Sequence, residues 1–185
     1  LGVDCFANTK IKSIHLGQSV YEISGAFRDC KTLESVTVDV ANTALITDEN
    51  AVYLKTKFIF NGKEKDGLIL EYYLPSKAQG KLTLKSNVGA IGAYAFYGCN
   101  GLEEIIANEL DFVSSQAFCN SSIKKFVADG EYIIATTPLG PPLSTPNSAL
   151  WLSTSMSSTT SNRATSWTWS GALHSRWCWR CYRIR

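Results

Sequence analysis

Residues 26–38 read AFRDCKTLESVTV and residues 95–107 read AFYGCNGLEEIIA. The shared pattern, Ala-Phe-x-x-Cys-x-x-Leu-x-x-(Val/Ile), is carried by Ala26, Phe27, Cys30, Leu33 and Val36, and again by Ala95, Phe96, Cys99, Leu102 and Ile105. Two degenerate copies flank these, each one residue shorter after the Phe. Phe6 leads Ile11, Ile14 and Leu16, and Ala117-Phe118 leads Ile123 and Phe126. A feeder precedes three of the four: Val20-x-x-Ile23, Val88-x-x-Ile91 and Leu110-x-x-Val113. Phe6 lies 21 residues before Phe27, Phe96 lies 22 before Phe118, and the 69 residues from Phe27 to Phe96 make three periods of 23. A fixed period of this size dictates the architecture. One unit cannot bury its own apolar face, but stacked units bury a continuous one.

Leu-x-x-Leu-x-Leu at this period is the leucine-rich-repeat signature, a short strand followed by a turn and an irregular return. Positions 1, 4 and 6 point into the stack, and positions 3 and 5 point out. The inward set is Phe6, Phe27, Cys30, Leu33, Val36, Phe96, Cys99, Leu102, Ile105, Phe118 and Ile123. The outward set is Ser13, His15, Ser35, Thr37, Glu104, Ile106, Lys125 and Val127, and it is the candidate face for a protein partner. Parallel strands lie about 4.8 Å apart, so Glu104 and Lys125 are expected as neighbours in one column. Cys30 and Cys99 share a repeat position where a small buried thiol packs as a hydrophobe.

Residues 39–80 break the repetition. Apolar runs at 51–54, 58–60, 68–70 and 72–75 flank the polar, glycine-bearing segment NGKEKDG at 61–67, which reads as a β-hairpin. The expected fold is thus an α/β to mainly β solenoid, with parallel strands and one inserted hairpin. Residues 1–134 form the repeat domain, with coils near 5–16, 20–38, 88–107 and 110–128, and the insertion over about 39–80.

The Ala-Phe-x-x-Cys-x-x-Leu coil preceded by Val-x-x-Ile-(Gly/Ser) resembles the BspA-like branch of leucine-rich-repeat proteins, best seen in IGAYAFYGCNGLEEI at 91–105. The resemblance spans most of residues 3–131. It implies a surface or secreted protein of bacteria or protozoan parasites that adheres to host matrix proteins and cells. The alternative is an intracellular scaffold that uses the same face.

Residues 135–185 are unlike the rest. All sixteen acids, all twelve lysines and Arg28 lie at or before Glu131, which leaves that part at −3, whereas residues 132–185 hold five arginines and no acid. All five tryptophans and four of the five prolines fall in this tail. The repeat stops where the composition changes, so the tail is expected to be a disordered, low-complexity segment or an aberrant, out-of-frame translation. His174, Cys178 and Cys181 offer three zinc ligands where a structural site needs four, so no metal is expected.

Other chemistry has little to stand on. The chain has two histidines, and no Gly-x-Ser-x-Gly, His-Glu-x-x-His or phosphate-loop motif occurs. Glu103 and Glu104 point to opposite sides of a strand and cannot share a substrate. No enzyme and no cofactor are expected. A net charge of +2 gives no ground for nucleic-acid binding, and no run approaches the ~18 apolar residues of a membrane span. The chain begins without an initiator Met or leader, as one that starts partway through its parent would. Asn120-Ser121-Ser122 is a possible glycosylation sequon if the protein is secreted by a eukaryote.

Overall fold

A computed structural model describes residues 1–60, 63–129, 133–134, 157–161 and 164–168. The described residues are mainly strand joined by turns and irregular stretches, and their one helical element is a single 3₁₀ turn at Pro75–Lys77. The strands are β1 (Ser13–Leu16), β2 (Ser35–Val38), β3 (Leu45–Thr47), β4 (Ala51–Phe60), β5 (Lys63–Tyr73), β6 (Gly80–Thr83), β7 (Val88–Ile91), β8 (Leu102–Glu109), β9 (Phe112–Val113), β10 (Lys125–Asp129), β11 (Ile133–Ile134), β12 (Ser157–Ser161) and β13 (Ala164–Thr168).

The chain winds as a β-solenoid of about five turns. Strands of the repeat motif pair in parallel: β1 with β2, and β6 with β8 and then β10. The feeders form a second parallel ladder, β7 with β9 and β9 with β11, and the hairpin joins it through β5. In the hairpin, β4 and β5 run antiparallel from Ala51↔Tyr73 to Phe60↔Lys63. Of the tail, β12 and β13 are described, as a backbone pair set antiparallel against β10. The disorder expected of the remaining tail residues lies outside the described residues, as do His174, Cys178 and Cys181.

The four coils read from the sequence omit one turn. Strand β6, Gly80–Thr83, stacks beside β8 as a coil of its own, so the insertion ends at Tyr73 rather than near residue 80. Its aromatic step is tyrosine. The Tyr73 N–H donates to the Ala95 carbonyl at 2.8 Å, as Phe6 donates to Ala26 at 3.0 Å and Phe96 to Ala117 at 2.8 Å. These three bonds join successive coils at the same point of the repeat.

The inward residues pack into two clusters, one holding Phe27, Cys30, Leu33 and Val36, the other Phe96, Cys99, Leu102, Ile105, Phe118 and Ile123. Phe6 packs, half-buried, against the first. Rings stack along the core, Phe6 on Phe27 and Phe96 on Phe118 both at 5.6 Å. At the base of the hairpin the two faces of β5 serve different clusters, Tyr72 meeting Phe27 at 5.2 Å and Tyr73 meeting Phe96 at 5.4 Å. Cys30 and Cys99 are buried and free, each in a different cluster.

Each corner at a repeat Phe needs two left-handed residues, one two positions before the Phe and one two positions after. Before it stand Asp4, Gly25, Tyr94 and Gln116; after it stand Asn8, Asp29, Gly98 and Asn120, all with φ between 54° and 75°. The second series is drawn from Asn, Asp and Gly, the types that tolerate this region. A buried Asn42 secures the turn into β3: its side-chain amide donates to the Gly17 and Val20 carbonyls, and its Oδ1 accepts from the Ala44 and Leu45 amides. Every polar atom of that side chain has a partner, which is what allows it to be buried.

Candidate functional site

Period-two alternation sends Ser13, His15, Ser35 and Thr37 to solvent while Leu16 and Val36 face the core. Parallel pairing then sets Ser13 beside Ser35 and His15 beside Thr37. The His15 ring Nδ1 lies 3.0 Å from the Thr37 hydroxyl, and its Nε2 lies 3.8 Å from Asp39. On the other ladder Lys125 pairs with Glu104 and Val127 with Ile106, all four half-buried. The Lys125 ammonium donates to Glu104 at 3.1 Å. That bond overcomes the effect of desolvation and, with help from Lys81, holds the Glu104 carboxyl below its usual range.

Two features of this face were not legible from the repeat. The fifth coil adds Lys81 and Thr83 in register with Glu104 and Ile106, so Glu104 sits between two lysines, Lys81 at 3.6 Å. A strand of the form Leu82-x-Leu84 just ahead of the Val88-x-x-Ile91 feeder was the available signal. The face is also divided: β1 and β2 form a sheet of their own, separate from the ladder of β6, β8 and β10. The eight outward residues therefore make two patches, one of hydroxyls with His15 and one centred on the Lys81–Glu104–Lys125 column.

A second feature lies on the sheet that contains the hairpin. Tyr21, Glu22, Ser24, Glu71, Phe112 and Ser114 line a pocket of about 340 Å³ together with apolar side chains of β4, β5 and β7. Glu71 is the single acid in the run LILEYYL at 68–74 and is only 6 % exposed. Its Oε2 has no hydrogen-bond partner. Burial first, and then the nearby Glu22 carboxylate, push its pKa up to about 7. Gly92 permits the arrangement: a Cβ there would lie 3.3 Å from Glu71 Oε1 and 3.1 Å from the Leu70 carbonyl oxygen.

Asp48 closes the turn between β3 and β4. It accepts from the Lys85 ammonium at 2.6 Å, from the Tyr53 hydroxyl at 3.0 Å, and from the Asn50 and Ala51 amides. Burial alone would raise its pKa, but these donors together bring it below the usual carboxylate value. The cluster is fully paired and ties the coil after β6 to the base of the hairpin. Among the described residues no group of three or more His, Cys, Asp or Glu side chains is placed to hold a metal. No helix there is long and apolar enough to cross a membrane. Asn120 is exposed at the left-handed corner after Phe118.

The fold has solved counterparts. A leucine-rich cell surface protein from Faecalibacterium prausnitzii A2-165 superposes with a TM-score of 0.54 at 20% identity, over 72% of this chain and 32% of its own. The pneumococcal vaccine antigen PcpA superposes with a TM-score of 0.54 at 18% identity, over 71% of this chain and 30% of its own. This chain thus spans about a third of the length of either. No curated protein matches the sequence at a significant level. A sequence model of the BspA type leucine-rich repeat region, in six copies, matches residues 1–53 and 69–135 and passes over most of the hairpin. The chain belongs to the BspA-type leucine-rich repeat family.

Proposed function

We propose that the chain is a non-catalytic protein-interaction module of a cell-surface or secreted protein, which adheres to host or matrix proteins through its outward strand residues. The observation that carries this reading is the in-register array itself. Ser13, Ser35, His15 and Thr37 on one ladder, and Glu104, Ile106, Lys125 and Val127 on the other, hold polar and small apolar groups on a rigid backbone. Such an array suits many modest contacts with a protein surface. The surface and antigen descriptions of the two structural counterparts support the location.

Protease shaving of intact cells that make the parent protein, read with an antibody to residues 81–131, tests the location. Loss of signal without lysis is the expected result. Full protection until lysis would overturn it and leave the intracellular scaffold as the reading. Solid-phase binding of the purified chain to matrix proteins tests the face. Lys81→Glu with Lys125→Glu, and separately Thr37→Arg, are expected to weaken capture at least tenfold while the melting transition is kept. Unchanged capture by both variants would remove the face from the function.

A further inference from the structure

The pocket around Glu71 combines three properties. Its acid is buried with one carboxylate oxygen unpartnered. Burying a carboxylate costs several kcal/mol unless donors meet it, and among the described residues none meets Oε2. A second carboxylate, Glu22, faces the same space from the turn after β1, and the Ser24 and Ser114 hydroxyls stand at its wall. The remaining lining is apolar or aromatic: Leu54, Ile69, Ala90, Phe112 and the exposed ring of Tyr21. No positively charged side chain lines it.

We propose that this pocket is a docking site for an arginine side chain of a partner protein, with the guanidinium paired to Glu71 and Glu22. The guanidinium is planar and weakly hydrated, and its five donors match two carboxylates and two hydroxyls. Its flat face suits Tyr21 and Phe112, where a cation over a ring is favourable. An ammonium is more strongly hydrated and presents no planar fork, so it is the poorer fit. A divalent metal lacks ligands, since no third acid, His or Cys joins the two carboxylates among the described residues. The inference rests on the reading of the chain as a protein-binding module and names the chemistry of one anchor on its partner.

The test is titration of the full chain with the peptide Ac-Gly-Arg-Gly-NH₂, followed by amide chemical shifts, with citrulline and lysine counterparts and calcium chloride as separate arms. Saturable shifts at Gly92 and Ser114 are expected, with a Kd on the order of 1 mM for a single anchor. The citrulline peptide should give no shifts, and the lysine peptide should bind about tenfold more weakly. Glu71→Gln, which is nearly isosteric, should weaken the arginine peptide at least tenfold. Glu22→Gln at the exposed rim should weaken it less and guards against loss of the fold. Absence of saturable shifts, an equal response to citrulline, or a response to calcium alone would overturn the proposal. This outcome is independent of the strand face: a pocket that takes no arginine leaves matrix capture untouched, and loss of matrix capture leaves the peptide titration readable.

Discussion

Tyr73 stacks on Phe96 with ring centroids 5.4 Å apart and planes inclined by 29°, nearly the relation that Phe96 has with Phe118 at 5.6 Å and 26°. The aromatic ladder of the later coils therefore begins at Tyr73, at the base of the hairpin. Tyr73→Phe is expected to leave the urea midpoint nearly unchanged, since it restores the residue found at the other corners. Tyr73→Ala and Phe96→Ala should each cost about 3–5 kcal/mol, the range for deleting a buried aromatic side chain. A small loss for Tyr73→Ala would show that the hairpin coil is not part of the common core.

Glu71 gives the fold a pH dependence of unusual sign for an acid. Its pKa rises from an ordinary 4.5 to about 7 on folding, because burial and then Glu22 disfavour the charged form. The folded chain therefore holds this proton more tightly than the unfolded one. The stabilisation is complete below about pH 4.5, falls as pH rises from there to about 7, and is lost above. Glu71→Gln is expected to match the parent at pH 4 and to exceed it at pH 8 by on the order of 3 kcal/mol. Equal stability of the two at pH 8 would contradict this.

Two glycines three residues apart separate conformational from steric requirement. Gly98 has a φ of 75° and open space around a would-be Cβ, with Pro75 the nearest atom at 3.9 Å. Gly98→Ala should cost about 1–2 kcal/mol, the penalty for a left-handed alanine. A Cβ on Gly101 would instead run into the backbone carbonyl oxygen of Ala78, which cannot rotate away. Gly101→Ala is expected to lower the urea midpoint more than Gly98→Ala does, and Gly101→Ser more again.

The Lys81–Glu104–Lys125 column makes a separate prediction. Lys125 lowers the Glu104 pKa by its hydrogen bond, and Lys81 adds to this. Lys125→Ala should move the Glu104 carboxyl titration, followed by NMR, upward toward the ordinary glutamate value. Lys81→Ala should move it in the same direction by less.

How much of this was legible in the sequence follows from where the repeat keeps its letters. The corners at Phe27 and Phe96 keep Ala, Phe, Cys and Leu at fixed offsets, and their strands appear in the expected register, including Glu104 beside Lys125. The coil of β6 stayed hidden because Tyr-Tyr-Leu-Pro replaces Ala-Phe-x-x, although counting back 23 residues from Phe96 lands on Tyr73. Aromatic packing tolerates that exchange, whereas matching by residue letter does not. The division of the outward face into two ladders was signalled only by the inserted hairpin. It depends on which strands exchange backbone hydrogen bonds, and the hairpin inserted between β2 and β6 is what parts them. The Glu71 pocket showed itself only as one acid in an apolar run, because burial is set by the neighbouring coils rather than by the strand itself.

The corner after Phe118 carries a consequence for how such chains are read. Asn120 occupies the left-handed site that Asn8, Asp29 and Gly98 fill at the equivalent corners. Ser121 donates to the Phe118 carbonyl at 2.7 Å, and the Ser122 hydroxyl reaches the Asn100 and Leu102 carbonyls of the preceding coil. Each letter of the Asn-Ser-Ser triplet thus has a place in the backbone geometry before any sugar is considered. A repeat that turns its corner on asparagine, and fastens the next residues with serine, will write glycosylation signals as a by-product of folding. The triplet by itself is therefore silent about the compartment in which the chain is made.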